Sequence, residues 1–277
     1  MISRIDLHIH STASDGEYAP AEIVEMACSL GLEVIAITDH DTVGGIDEAM
    51  GAAQRSGLEV IPGVEINAES KDQSIHILGY YIDHRNESLL AELTKLCHSR
   101  EWRARRVLEE LAALRMPLKW DRLLEIAGGS LIGRPHIAEA MVEQGYVSTI
   151  REAFDDYLGR GRPGYVQRPR LAPEEAIELI SSAGGVPVLA HPLGVLPILP
   201  GLLSAGLAGL ETYYSGYSVE DSRVIASEAR RHGLITTGGS DYHGPSVTPG
   251  IGLGQVSVPA VVMKELRARH LALINKG

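Results

Sequence analysis

Cysteine is nearly missing from this 277-residue chain: Cys28 and Cys97 are the whole supply, and no spacing pairs them. A disulfide-stapled secreted scaffold is therefore excluded, and a reducing cytoplasm is the expected compartment. Positive charge is also short. Twenty-five Lys and Arg against 36 Asp and Glu leave a formal charge of −11, which argues against a broad duplex nucleic-acid or anionic-membrane surface. Carboxylates in such excess remain suited to divalent cations. The opening MISRIDLH has no apolar core of a signal peptide and enters a strand pattern at once, so no secretory signal is expected. One run, 184–210, carries no Asp, Glu, Lys or Arg, and its length alone fits a membrane span. Prolines at 187, 192, 197 and 200, together with His191, break it. A buried strand, a loop and a helix are expected there instead, and no membrane. Internal repeats and low-complexity tracts are lacking, and nothing indicates an obligate protein partner. The length suits one large domain, or one domain with an insertion.

What the chain does have is concentrated first between Ile5 and Asp41. Ile5, Leu7 and Ile9 alternate with Asp6, His8 and His10, the period-2 signature of a half-buried strand. Side chains two apart on a strand share a face, so His8 and His10 can grip one cation together. Asp15 follows in a Ser-Asp-Gly turn, and His40 follows the apolar run 34–38. Any one of these has a bland explanation as turn chemistry or a core histidine. Four at the ends of two strands favour a metal site.

The rest of the chain alternates strand and helix. Helices are expected from Pro20 to Gly31 and over 44–56, with strands at 59–66 and 74–82. The rhythm then breaks, and 88–165 reads as an α-helical insertion, a lid in function. Arg100, Arg103, Arg105 and Arg106 cluster on its first helix and are expected to form a solvated face paired with Glu101, Glu109 and Glu110. Alternation resumes with strands at 186–190, 209–213 and 234–239 and a last helix over 259–275. Seven strands with intervening helices predict an α/β fold, a mostly parallel sheet or barrel formed by 1–87 and 166–277, with chemistry at the strands' C-terminal ends.

On that map His8, His10, Asp15, His40, Glu65, His76, His191, Asp241 and His243 all lie on strands or just after them. The other histidines fall in helices or connections. Glu65 ends a buried apolar run, where a carboxylate is costly unless paired or bound to metal. Nine N/O ligands exceed the needs of one ion and fit two or three divalent cations, with Mn, Fe and Zn all reasonable. Closely spaced cations suit hydrolysis: they activate a bridging hydroxide, hold a phosphoryl oxygen and stabilise the leaving oxygen. The residues alone thus predict a metal-dependent hydrolase without choosing between phosphate ester and amide.

The segments HIHSTASDG (8–16), ITDHD (37–41), GVEI (63–66), SIHILGY (74–80), LAHP (189–192) and GSDYHG (239–244), in that order, resemble the signature motifs of the polymerase and histidinol phosphatase (PHP) family. The resemblance implies a distorted (β/α)7 barrel with a trinuclear site hydrolysing phosphate esters. It implies that His8, His10, Glu65 and Asp241 hold one metal, that Glu65 bridges to a second with His76 and His191, and that Asp15, His40 and His243 hold a third. Asp39 and Asp41 are expected to orient ligands. Within the insertion, 132–138 (IGRPHIA) and 157–165 (YLGRGRPGY) resemble the nucleoside 3′,5′-bisphosphate phosphatases, some of which also degrade short RNA 5′→3′. Arg134, His136, Ser11, Arg160 and Arg162 are then the candidate substrate contacts, Arg134 foremost for its fixed fork of donors. The implied substrate is a small phosphorylated nucleotide or short oligonucleotide. A histidinol-phosphate-type phosphatase is the near alternative, and a non-catalytic metal-binding accessory module a remote one. A metal amidohydrolase would want a lysine or glutamate bridge and a different later arrangement, and no lysine lies near a strand end.

Overall fold

The structure, a computed structural model, describes residues 4–275 apart from 55, 71–72, 129–131 and 168–170. Seven strands follow one another in a single sheet in chain order: β1 (Ile5–Ile9), β2 (Val34–Ile37), β3 (Glu59–Ser70), β4 (Gln73–Tyr80), β5 (Val186–Leu189), β6 (Gly209–Tyr214) and β7 (Ile235–Gly239). Neighbours are parallel except around β4, which runs antiparallel to both β3 and β5. The sheet curls until its ends meet. His10 N–H donates to the Tyr242 carbonyl (3.0 Å), and Asp241 N–H donates to that of His8 (2.8 Å). The result is a nearly closed, distorted (β/α)7 barrel.

The strands are short and rich in β-branched residues, and β1, β2 and β5 are buried along their whole length. Such continuous apolar runs are what a parallel sheet covered by helices demands. Helix α1 (Pro20–Ser29) begins with Pro20 and stops at Gly31, whose φ of 73° is the left-handed conformation glycine adopts freely. It packs Ile23, Val24 and Ala27 onto Ile9, Ile35 and Ile37, with α2 (Ile46–Ala53) beside it. Helix α10 (Val261–Ile274) covers another part of the wall with Val262, Met263 and Leu266.

The chain divides into two compact units, residues 1–93 with 170–277 and residues 94–169. The sequence pattern had placed this boundary at 88 and 165. The second unit is helical. It contains most of α3 (Glu87–Ala113), then α4 (Trp120–Ala127), α5 (Arg134–Glu143), α6 (Ile150–Ala153) and a π-helical turn at Phe154–Leu158. Its own core gathers Val107, Leu111, Leu123, Ile137, Met141 and Leu158. Arg105 pairs with Glu101, and Arg106 with Glu109 and Glu110, as the charge pattern predicts, but Arg103, expected on the same solvated face, is buried.

One expectation needs correction, and one holds. The strand predicted at 59–66 continues to Ser70 and turns directly into β4, so this pair is a hairpin and not a crossover. The uncharged run 184–210 resolves into β5, two 3₁₀ turns, α8 (Leu199–Ser204) and the start of β6. No helix among the described residues is long and apolar enough to cross a membrane.

Closure of the barrel requires a bare backbone at Gly239, where an added Cβ would lie 2.3 Å from the His8 nitrogen. Gly239→Ala is expected to cost about 2 kcal/mol or more, read as a thermal midpoint lowered by several degrees. A wild-type midpoint would show that β1 and β7 do not meet this tightly.

Candidate metal centre

The site is assembled at the end of the barrel where β1, β2, β5 and β7 finish. Alternation along β1 turns Asp6 and His8 away from Ile5, Leu7 and Ile9, and His10 continues the polar face. His8 Nδ1 lies 2.9 Å from Glu211 Oε1. A carboxylate only accepts, so Nδ1 carries a proton and Nε2 is the nitrogen left to offer a cation. That Nε2 is 3.2 Å from Glu65 Oε2 and 3.2 Å from Asp241 Oδ1. His10 Nε2 faces the same two oxygens at 3.2 and 3.1 Å. Neither nitrogen makes a hydrogen bond, nor does Glu65 Oε2, although all are buried. Cation–ligand bonds of about 2.0–2.2 Å put neighbouring ligand atoms roughly 3.3 Å apart in a tetrahedron. The four residues therefore fit a divalent cation, and their orphaned buried atoms are otherwise hard to explain.

Glu65 extends the site on both oxygens. Its Oε2 also meets His40 Nδ1 at 2.9 Å, while Oε1 meets His76 Nδ1 at 2.9 Å and His191 Nε2 at 3.5 Å. A further group centres on Asp15, with His243 Nε2 at 3.4 Å, His10 Nδ1 at 3.8 Å and His40 Nε2 at 3.9 Å. His243 Nδ1–H donates to the Asp241 carbonyl (2.9 Å), which frees Nε2 for that group. All nine residues singled out in the sequence thus converge. Among the described residues, three sets have ligand atoms within 4.8 Å of one another: His8, His10, Glu65 and Asp241; His10, Asp15, His40 and His243; and His40, Glu65 and His76. His10, His40 and Glu65 are each shared between two sets, whereas His191 stands beside Glu65 outside all three.

Charge is balanced within the cluster. Burial alone would raise the Glu65 pKa, but His40, His8 and His76 hold it well below the usual carboxylate range. Asp241 is likewise held low against burial by His8 and His10, and Asp15 against burial by His40, His243 and His10. Burial opposes protonation of His8, yet Asp241, Glu211 and Glu65 together raise its pKa well above normal. His10 and His191 are raised in the same way, against burial, by the acids facing them. His76 goes the other way, lowered chiefly by burial.

The backbone is strained where the site needs it. His191, Asp241 and Asp41 all have positive φ, at 30°, 56° and 55°, a conformation side-chain-bearing residues avoid unless the surroundings enforce it. Asp41 accepts the Asn67 N–H (2.8 Å), and the Asn67 amide lies 3.0 Å from His40 Nδ1. Asp39 accepts from Ser11 N–H, Ser11 Oγ and Ser14 Oγ, fixing the turn that carries Asp15. Both aspartates orient ligand-bearing segments.

Comparison with known proteins supplies the family. The PHP domain model matches residues 6–160. The 3′,5′-nucleoside bisphosphate phosphatase of Chromobacterium violaceum is 34% identical over 252 residues, 88% of each chain. The chain belongs to the PHP family. A 5′-3′ exoribonuclease of Haemophilus influenzae is 36% identical, covering 88% of this chain and 92% of that protein. A solved structure from Bifidobacterium adolescentis, described as a metal-dependent phosphoesterase, shares 35% identity over 96% of both chains with a TM-score of 0.84. This PHP protein is accordingly a metal-dependent phosphoesterase, a hydrolase.

The substrate candidates fare unevenly. Ser11 is fully buried, its hydroxyl donating to Asp39 (2.7 Å) and accepting from Ala13 N–H (3.1 Å). It shapes the turn, so the expectation that it donates to a phosphoryl oxygen gives way to a structural role. Within the helical unit, Arg134 Nη1 donates to the Leu158 carbonyl (3.2 Å), and its guanidinium lies over Phe154 and Tyr165. His136 Nδ1 accepts the Gly133 N–H (3.1 Å) at the start of α5. Arg160 and Arg162 are exposed. Two site residues escaped the sequence reading. Glu211 accepts from His8 and also from the His191 N–H (2.8 Å), and Tyr214 O–H donates to Asp241 Oδ2 (3.0 Å). Glu211 was findable by the logic applied to Glu65, as a carboxylate inside a buried strand.

Because cations must displace protons held by His8, His10 and His191, low pH opposes loading and high pH favours it. Mn²⁺ affinity measured calorimetrically is expected to fall at least tenfold between pH 8 and pH 6, with proton release seen as a buffer-dependent heat. A pH-independent affinity would remove these histidines from the ligand set.

Proposed function

We propose that this phosphoesterase removes the 3′-phosphate of nucleoside 3′,5′-bisphosphates, converting pAp to AMP, and also takes short RNA in the 5′→3′ direction. The observation that carries the reading is the convergence of all nine ligand candidates in a chain matching a named bisphosphate phosphatase along nearly its full length. The exoribonuclease relative supports the second substrate, since both reactions break a phosphate ester of a nucleotide. We assign His8, His10, Asp15, His40, Glu65, His76, His191, Asp241 and His243 to two or three divalent ions, with Mn, Fe and Zn all compatible with an all-N/O donor set. Such ions supply an activated water and positive charge to neutralise the phosphoryl oxygens.

The protein's own contribution is orientation and charge placement. Glu65 and Asp241 present carboxylates held ionised by the surrounding histidines, so these two donors are ready at neutral pH. Arg134 is assigned to a substrate phosphate, a role its planar, always charged guanidinium suits. Arg160, Arg162 and His136 are secondary candidates for the same anion. The cytoplasm is the compartment we propose, in keeping with two free cysteines.

With Mn²⁺ present, pAp is expected to release phosphate faster than histidinol phosphate, and an amide substrate to remain intact. Preference for histidinol phosphate would replace the nucleotide reading with its nearest rival. No turnover of any ester in the panel would leave an accessory metal-binding module. His10→Ala and Asp241→Ala should abolish turnover, a fall of at least about a thousandfold, with circular dichroism unchanged. Near-normal activity in either would refute the ligand assignment. Arg134→Ala should raise KM for pAp about tenfold or more while bound metal stays constant. An unchanged KM would exclude it from the phosphate site.

A further inference from the structure

β6 is the one strand that supplies no metal-ligand candidate, yet it reaches further into the site than its neighbours require. Its pairing with β7 is irregular: Glu211 lies opposite Thr237 and Tyr213 opposite Gly238, so Thr212 is an extra residue. In a regular strand Glu211 and Tyr213 would share one face, and Tyr214 would point to the other. One extra residue resets the alternation, and both Glu211 and Tyr214 come to bear on the ligands. Glu211, fully buried, spends both carboxylate oxygens on two different ligand residues: Oε1 on His8 Nδ1–H (2.9 Å) and Oε2 on the His191 N–H (2.8 Å). The second contact holds a residue whose backbone sits at φ 30° and ψ 58°, a conformation that needs an external tie. Tyr214 donates to Asp241 Oδ2 (3.0 Å), leaving Oδ1 to face His8 and His10, and its ring lies 5.5 Å from that of His191.

We propose that Glu211 and Tyr214 are a pair of positioning residues, delivered by the Thr212 bulge, that set which atom of His8, His191 and Asp241 is offered to the metal. The proposal rests on the ligand assignment made above. Glu211 fixes the His8 tautomer: with the proton held on Nδ1, the lone pair can only be on Nε2. An amide at 211 has one accepting oxygen for two donors. If its NH₂ turns to His8, the imidazole must accept there and move its proton to Nε2, the atom facing Glu65 and Asp241. If it turns to His191, the backbone tie is lost instead. Either way one ligand is misdirected without any change in side-chain size. Tyr214 keeps Asp241 binding through a single oxygen, and removing its hydroxyl frees Oδ2 to compete.

The test uses the full-length protein stripped of metal, with Mn²⁺ binding measured by calorimetry and geometry read from the visible spectrum of the Co²⁺-loaded protein. Glu211→Gln is expected to weaken Mn²⁺ binding about 10- to 100-fold and to change the Co²⁺ band intensities. Tyr214→Phe should weaken it about fivefold with a smaller spectral change. A merely structural role would lower the melting point of the metal-free protein but leave both readouts at wild-type values, and that result overturns the proposal. Should Glu211→Gln not fold, Tyr214→Phe decides alone, since Tyr214 lies partly at the surface: wild-type affinity and spectrum in it refute the pairing. Failure of the wild-type protein to bind Mn²⁺ would instead sink the ligand assignment itself, which separates the two outcomes.

Discussion

The Glu65 carboxylate is the point on which the barrel's open end depends. It is 1% exposed, and five histidines reach it: His8, His10 and His40 on one oxygen, His76 and His191 on the other. A charge so deeply placed is tolerated only while its partners remain, because removing one side of a buried ion pair costs about 3–5 kcal/mol. The partners come from β1, β2, β4 and β5 and the segments after them. A single carboxylate therefore ties together strands whose pairing is otherwise only a few hydrogen bonds long. The same arrangement explains why the histidine pKa values split. His8, His10 and His191 are raised by the acids facing them, while His76, whose burial outweighs its single acid, is lowered. Protons and cations thus compete for one set of atoms.

Backbone conformation does the rest of the placing. His191 and Asp241 lie two positions past the ends of β5 and β7, after Ala190 and Ser240, and each turns with positive φ. A strand that simply continued would carry these side chains past the site. The turn at Asp241 is held from below by Asp6, whose carboxylate accepts from Ser240 N–H, Ser240 Oγ and Gly254 N–H (2.8, 2.6 and 2.8 Å). Asp6 is buried and its pKa is raised by that burial, although the hydrogen bonds oppose the shift. It thus acts as the fastening between β1 and the corner after β7, two residues before His8.

The seven strands, their order and all nine converging residues were legible because each carried a local signal: period-2 alternation, an apolar run, a histidine or acid at its end. What was not legible is instructive. The reversed direction of β4 left no mark, since alternation is the same in parallel and antiparallel strands. The clue was the spacing, but Asn67, Ala68, Glu69 and Ser70 read as a loop, hiding a hairpin in which Ser70 pairs with Gln73. Glu211 stood inside LETYY, where its cost of burial was as readable as that of Glu65. Tyr214 was beyond reach, because alternation assigned it to the wrong face and only the extra residue at Thr212 reverses that. Which ligands share an ion was equally hidden: spacing says that His10 and His40 approach the site, not that each stands between two sets.

Convergence from positions 8 to 243 also links binding to folding. In the unfolded chain the nine residues are separated by long loops, so no preformed site exists and cation affinity belongs to the closed barrel. The bare backbone at Gly239 and the Asp6 fastening bring β1 and β7 together, and the Glu65 hub gathers β1, β2, β4 and β5. The helical unit, by contrast, has its own core and contributes none of the nine. The division of labour follows from physics: acids and histidines packed this densely need the rigid, many-stranded frame of a barrel.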